Sequence, residues 1–443
     1  MMSQTIALDD LDSSIIETAT MLDLVRDGRL VIPNLEQKIA ISNLRHERMA
    51  AAVKRFRDTS DLPDHVRDQM ARLHTNRSTK QRILVLYYGG TLGMVYNEIA
   101  DGVKALVPSN DTERLLSPLR EHGLDDKMSV VWMPILEKPI DSTNGRWPHW
   151  MSIANAIELL YDHFDGFVVA GGTDTMDYLL SGLNFVFPNI GKPVIGAAAQ
   201  KPVGSWGEDA IKNLMFSLSA ACEDLSGCHL AFYDVLRDGL HVFKVKDKGY
   251  DAFDGPKQHE LGRYEDGDVK PSRNVEKRKP YIEKKNLHVR SEFRDGMTVE
   301  HINPFGAAES LLHKAKDPFS LATIVLTYGA GNVRDVKMWE DEATHVDAIK
   351  VLHGMRYPLI LGSPMQDGRV DSPYESGTMA LLAGAVSGGN TTGSTLPVKL
   401  SRCLALAWDP EKGYDYRMLR EYMYKNHVGE FDENIKDRML EKK

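Results

Sequence analysis

The chain has 443 residues, a formal net charge of −9, 42% hydrophobic and 26% charged residues, a globular balance with room for two or three domains. The negative charge argues against nucleic acid as a general partner, and no apolar run approaches the roughly 18 residues of a membrane helix. The acidic opening MMSQTIALDDLDSS is no secretory signal, and Cys222, Cys228 and Cys403, with no CxxC pair, exclude a disulfide framework and point to a reducing, cytoplasmic location.

The first predicted elements are helices, from about Asp10 to Leu73. Leu11, Ile15, Ile16, Ala19, Leu22, Leu24 and Val25 fall near helical spacing. Pro33-Asn34 starts a second helix carrying Leu35, Ile39, Ile41, Leu44, Met49, Ala52 and Val53, and Asp61-Leu62-Pro63-Asp64 starts a third. They read as a helical cap or dimerisation arm, with a partner-binding module as the other reading. The polar stretch His74–Gln81 reads as a linker, which sets residues 1–80 apart as a helical N-terminal extension.

Strands then alternate with helices. The apolar runs Ile83–Tyr88, Val130–Ile135, Gly166–Ala170, Val194–Ala198 and His229–Tyr233 read as strands. Amphipathic helices at Trp147–Phe164, Asp177–Phe187 and Asp209–Ala221 lie between them. This pattern predicts an α/β domain over 81–255, its parallel sheet covered on both faces. Residues 256–296 are dense in charge and read as a linker or surface excursion, with short strands at its end. Their basic cluster, Lys277, Arg278, Lys279, Lys284 and Lys285, reads as a solvated loop. A smaller α/β domain is predicted over 297–443. Its strands are Thr298–Ile302, Thr323–Tyr328 and Leu359–Gly362, and its helices include Ala307–Ala315 and Val336–Glu342.

Candidate chemistry sits at strand ends. Gly89, Gly90 and Gly93 bracket Thr91 directly after the first strand, where open α/β sheets bind ligands. A threonine hydroxyl needs a nearby base to act as a nucleophile, and glycine-rich backbone offers N–H groups to an oxyanion. A phosphate loop is the competing reading, but GGTLG fits neither GxGxxG nor a Walker motif. Thr173, Asp174 and Thr175 follow the strand Gly166–Ala170; helix capping accounts for one of them, not for all three. Asp141-Ser142-Thr143 stands before the helix at Trp147, where capping is again an alternative. Lys244, in GLHVFKVK, is on its own an ordinary solvated lysine.

Together LVLYYGGTLGM, KPIDST, DGFVVAGGTDTMDYLLSGLNFVFPNIGKPVI, DGLHVFKVKDKGYDAF, YGAGN, MQDGRV, SGTMALLAGAVSGG and NHVGEFD resemble, in order, the asparaginase/glutaminase family over about Gln81 to Asp432. The cytoplasmic type I L-asparaginases are the nearest kind. The resemblance implies a larger N-terminal and a smaller C-terminal α/β domain, here preceded by the helical extension. It implies a threonine nucleophile, Thr91, and an acyl-enzyme. Thr173, Asp174 and Lys244 would be the other catalytic residues. Ser142 would bind the substrate's α-carboxylate with Thr143 beside it, and Asp174 its α-ammonium. No metal or organic cofactor is implied. The partners implied are a small amino acid substrate and further copies of the chain, as a homodimer or homotetramer, with no nucleic acid or membrane.

Three departures stand out. Gly171 replaces the family's histidine before GTDT. The loop Val95–Pro108 is lengthened and offers only Tyr96 as a lid tyrosine over the substrate. Ordinary type I enzymes lack the helical extension. The same fold serves the asparaginase-like component of the archaeal glutamyl-tRNA amidotransferase, which carries a small β-barrel where this chain reads as helix. A catalytically weak interaction protein using residues 1–80 is the third reading.

Overall fold

Leu35–Ala52 (α1) and Asp64–Thr75 (α2) are the helices that the spacing after Pro33 and Pro63 predicts. The computed structural model describes residues 35–432 apart from 53–55, 76–79, 125–127, 273–274, 366, 372 and 392. The helix predicted over Leu11–Val25 lies outside the described residues. The chain forms two compact units, one of residues 50–291 and one of residues 292–443 together with the segment up to Met49.

In the 50–291 unit, β1 (Gln81–Tyr87) leads through a hairpin, β2 (Met94–Ala100) and β3 (Val103–Pro108), to α3 (Glu113–Glu121) and β4 (Met128–Pro134). Next come α4 (Trp147–Leu160), β5 (Gly166–Ala170), α5 (Met176–Val186), β6 (Pro193–Ala197), α6 (Ala210–Cys222), β7 (Gly227–Phe232) and β8 (Val235–Asp238). Short strands β9 (Phe243–Lys244) and β10 (Phe253–Asp254) precede β11 (Glu260–Glu265) and β12 (Asp268–Pro271). The main sheet has the order β12-β11-β8-β7-β6-β5-β1-β4. Strands β4 to β7 and β1 pair in parallel, whereas β8, β11 and β12 extend the sheet antiparallel.

Both faces of β1 are buried. Ile83, Val85 and Tyr87 share one core with Leu214 and Leu218 of α6. Leu84 and Leu86, pointing the other way by the strand's period of two, are also fully buried. That double burial is why the strand reads as a continuous apolar run. The β7–β8 hairpin closes through Tyr233 and Asp234, both with positive φ (48° and 63°), so its turn is of the primed type that matches strand twist.

Two strands, β11 and β12, lie within the stretch that reads as an excursion. The basic cluster there is not uniformly solvated. Half-buried Arg278 donates through Nε to the Glu223 carbonyl at 2.6 Å and through one Nη to the Ala221 carbonyl at 2.8 Å. It also reaches the Asp165 carbonyl and, at 3.3 Å, the Gln81 side chain. One planar fork of donors thus fastens the starts of β1 and β5 to the end of α6.

The second unit holds a parallel sheet of β13 (Met297–His301), β14 (Ala322–Leu326), β15 (Leu359–Gly362) and β16 (Val386–Ser387). Its helices are α7 (Ser310–Lys316), α8 (His345–Gly354), α9 (Glu375–Leu382), α10 (Thr395–Leu406) and α11 (Tyr416–Met423). Val325 and Leu361 face a core with Val346 and Leu352, while Ile324 and Ile360 face another with Leu396 and Leu400. The helix predicted at Val336–Glu342 does not form. Buried Glu342 instead accepts from Arg334 at 2.6 Å and from the Met338 N–H, curling the segment around its carboxylate. The helix begins at His345, where Thr344 and Asp347 form a capping box. Among the described residues no helix is long and apolar enough to cross a membrane.

Helix α1 is held in this unit by polar anchors. Lys38 is 2% exposed, and its Nζ donates to the carbonyls of Asp317 and Ser320 at 2.8 and 2.7 Å. The Ser42 hydroxyl accepts from Arg294 at 2.7 Å and the Asn43 side chain accepts from Trp408 Nε1 at 2.9 Å. Burial pushes the Lys38 ammonium down from 10.5 to about 8, partly opposed by the Asp317 carboxylate. Between those two values the unfolded chain binds the proton that the folded chain has released, so stability rises with pH across that window; below it the full burial cost applies. Urea unfolding from pH 7 to 10.5 should therefore show the parent gaining stability relative to Lys38→Met above about pH 8. Parallel pH curves for the two proteins would refute the buried ammonium.

Candidate active site

Three loops meet at the C-terminal ends of the adjacent strands β4, β1 and β5. The first is held by backbone bonds. Tyr88 N–H donates to the Ala170 carbonyl at 3.1 Å, Ile140 N–H to the Tyr88 carbonyl at 3.0 Å, and Gly90 N–H to the Ile140 carbonyl at 3.0 Å. Gly90 has φ 82°, and a Cβ there would lie 2.1 Å from the Gly172 nitrogen. Only glycine permits both that conformation and that approach. Thr91 follows at once, half-buried, opening the 3₁₀ turn Thr91–Gly93. Among the described residues no base is hydrogen-bonded to its hydroxyl.

The second loop leaves β5. Thr173 is buried at 5% exposure, whereas Asp174 is exposed. The Thr175 hydroxyl donates to the Ser142 carbonyl at 3.0 Å, joining the second loop to the third. Ser142 is buried, and its Oγ lies 2.3 Å from where a Cβ on Gly172 would stand. Asp141 caps the short Ser142–Asn144 turn, accepting from both the backbone N–H and the hydroxyl of Thr143 at 2.9 Å. The Thr143 hydroxyl is therefore already engaged.

Lys244 completes the group. Its Nζ donates to Thr173 Oγ1 at 2.9 Å and to Asp174 Oδ1 at 2.6 Å, with its side chain 18% exposed. Its position is set from behind: the backbone N–H of Lys244 donates to Asp177 Oδ2 at 3.1 Å, and Lys244 pairs with Phe253 in the β9–β10 ladder. Thr173, Asp174 and Lys244 are thus one bonded cluster, with Ser142 and the Thr91 loop packed on its glycines. Tyr96 is not in it; it stands on β2, paired with Leu106 and 70% exposed.

Sequence reasoning missed Asp177 and Tyr88. Asp177 reads as a helix-start acid, and nothing local shows that it orients a lysine 67 residues away. Tyr88 accounts for Gly171. A Cβ at position 171 would stand 2.1 Å from Tyr88 Cε1 and 2.8 Å from its hydroxyl oxygen, so the tyrosine ring fills the space a side chain there would take. Burial pushes the Tyr88 phenol up to about 12, so it stays neutral at ordinary pH. No residue of the threonine loops belongs to a metal-ligating group among the described residues; the group that qualifies is Asp238, His241 and His259.

Residues 82–277 match the family described as asparaginase, N-terminal, and the L-asparaginase 1 of Escherichia coli is 28% identical over 79% of this chain and 98% of its own. The chain is thus similar to the asparaginase family over its N-terminal α/β domain and beyond. An L-asparaginase of Dirofilaria immitis is 27% identical over 73% of this chain, which spans only 57% of that relative's length. The solved structure of the thermostable L-asparaginase from Thermococcus kodakarensis superposes with a TM-score of 0.66 at 25% identity, covering 79% of this chain and 99% of that one. The fold is thus the two-domain asparaginase type with an N-terminal helical addition. Relatives with other names match at similar identity: the 60 kDa lysophospholipase of mouse at 28%, and a glutamyl-tRNA(Gln) amidotransferase component of Methanobrevibacter smithii at 25%.

The Tyr88–Gly171 contact is directly testable. Gly171→Ala should destabilise the protein by about 1–3 kcal/mol through overpacking. In a Tyr88→Leu background the same substitution should cost clearly less, a coupling that a double-mutant cycle of denaturant unfolding reads. Additive costs would mean the two positions do not share that space.

Proposed function

We propose that this chain hydrolyses the side-chain amide of L-asparagine, giving L-aspartate and ammonia. The observation that carries this reading is Lys244 Nζ bonded at once to Thr173 Oγ1 and Asp174 Oδ1, beside the glycine loop that presents Thr91. The Thr91 hydroxyl attacks the amide carbon. The Thr173–Lys244–Asp174 cluster relays the proton toward the leaving nitrogen, ammonia departs, and water then cleaves the ester to restore the hydroxyl. Backbone N–H groups after Gly90, beginning with that of Thr91, hold the tetrahedral oxyanion, typically worth about 3 kcal/mol per donor. Asp174 spends one oxygen on Lys244, which leaves its exposed second oxygen for the substrate's ammonium. Ser142 takes the α-carboxylate and Thr143 flanks it. Tyr96 closes over the substrate only if the β2–β3 hairpin moves.

The relatives named as asparaginases support this substrate, and with it a cytoplasmic enzyme working as a homodimer or homotetramer. The amidotransferase relative keeps a second reading open, in which ammonia is released for a partner acting on charged tRNA. The helices before Gln81 weigh against it, since the amidotransferase component carries a barrel there.

The purified chain should release ammonia from asparagine faster than from glutamine, without tRNA or ATP. One further methylene displaces the amide carbon from Thr91, and misplacement of about 1 Å costs about a hundredfold. Thr91→Ala should lower turnover by about four orders of magnitude with the fold intact, and Lys244→Met by at least about a hundredfold with little change in KM. Near-normal turnover in Thr91→Ala would end the nucleophile assignment. Ammonia released only with charged tRNA and a partner would select the second reading.

A further inference from the structure

We propose that Asp238, His241 and His259 bind a divalent transition-metal cation of the zinc class, which clamps the end of β8 to the turn before Lys244 and to the start of β11. Strand pairing brings these residues together. Glu260 opposes Arg237 in the antiparallel β8–β11 ladder, so the preceding residue, His259, comes beside Asp238. A tight turn, with His241 N–H donating to the Asp238 carbonyl at 3.1 Å, folds His241 back over the same carboxylate.

The two imidazoles lie face to face, centroids 3.5 Å apart and 7° from parallel. Their Nδ1 atoms are 2.7 Å (His241) and 3.9 Å (His259) from Asp238 Oδ2. All three ligand atoms fall within 4.8 Å of one another. Bonds of about 2.0–2.1 Å in a tetrahedral zinc site put ligand atoms about 3.4 Å apart, so binding turns the stacked rings out of parallel until both lone pairs face the ion, which replaces the proton His241 Nδ1 now shares with the carboxylate. His241 is buried and the His259 side chain is 30% exposed, which leaves an approach from solvent.

A second observation points to a cation. On the other side of the carboxylate, His229 Nδ1 is buried without a hydrogen bond, 3.8 Å from Asp238 Oδ1. His229 Nε2 meets the Ser226 carbonyl at 2.8 Å and so carries the hydrogen. In the neutral ring the Nδ1 lone pair then faces a carboxylate. Arg237 does not offset this charge at hydrogen-bond range, since it reaches Asp254 and Glu260 instead. Three imidazoles crowd one half-buried carboxylate; of the three only His241 donates to it at hydrogen-bond distance, and the Leu240 N–H meets its Oδ1 at 3.2 Å. With three protein ligands the fourth position of a tetrahedral ion stays open to water.

The test is zinc uptake by the full chain, stripped with chelator and dialysed against zinc chloride, with bound metal counted by elemental analysis. One tightly held zinc per chain is expected, and cobalt in its place should give the strong visible bands of a tetrahedral ion. His241→Gln and His259→Gln should each weaken binding by about a hundredfold or more, whereas exposed His122→Gln should not. Half-buried His259 is the safer variant for folding, checked by circular dichroism. No saturable zinc, or zinc retained unchanged in folded His259→Gln, would overturn the site. Because bound metal is the readout, the result does not depend on Thr91 or on the amide substrate.

Discussion

The closest constraint in the site is the backbone approach of Gly90 to Gly172. These loops end two adjacent parallel strands, and any side chain at Gly90 would drive them apart. The Ser142 turn closes on the same point from the β4 side, its Oγ against Gly172. β1 lies between β4 and β5, so three successive loops of the sheet converge without any of them crossing another. This is the crevice at carboxyl strand ends where open α/β sheets gather ligand groups. The threonines are brought together by packed glycine backbone rather than by bonds between their side chains.

A second layer fixes direction. Lys244 arrives on a two-residue strand that could not hold a long side chain still by itself. Asp177 grips its backbone from α5, and the β9–β10 ladder fixes its other side. The ammonium then needs little further ordering to reach both Thr173 and Asp174. Supporting groups that lock the first contacts in place are what keep such clusters within productive geometry.

Much of this was legible in the chain. The strands of the parallel sheet are continuous apolar runs because both faces are buried, and β5 ends where the Gly166–Ala170 run ends. Glycine-bracketed threonines after two such runs marked the site. The outer strands were hidden because an edge exposes one face: in β11 and β12, Glu260, Arg263, Glu265, Asp268 and Lys270 dominate, and only Leu261, Tyr264 and Val269 pack inward. The stretch at Val336–Glu342 has a helical look, but a buried Glu342 with its own donors outweighs periodicity. Asp177 and the Tyr88–Gly171 pair were invisible because each acts through a partner far along the chain.

The second unit is discontinuous: α1 is made near the beginning, while Asp317, Ser320, Arg294 and Trp408 that hold it come more than two hundred residues later. During vectorial synthesis the 50–291 unit has all its residues first, and domains generally fold as units in that order. Until the last third emerges, α1 has an ammonium and a polar face with nowhere to dock. Most helical stability in proteins comes from tertiary packing rather than propensity, and α1 lacks its packing partners until then. The order of the chain therefore completes the central sheet's residues before α1 has the partners that hold it.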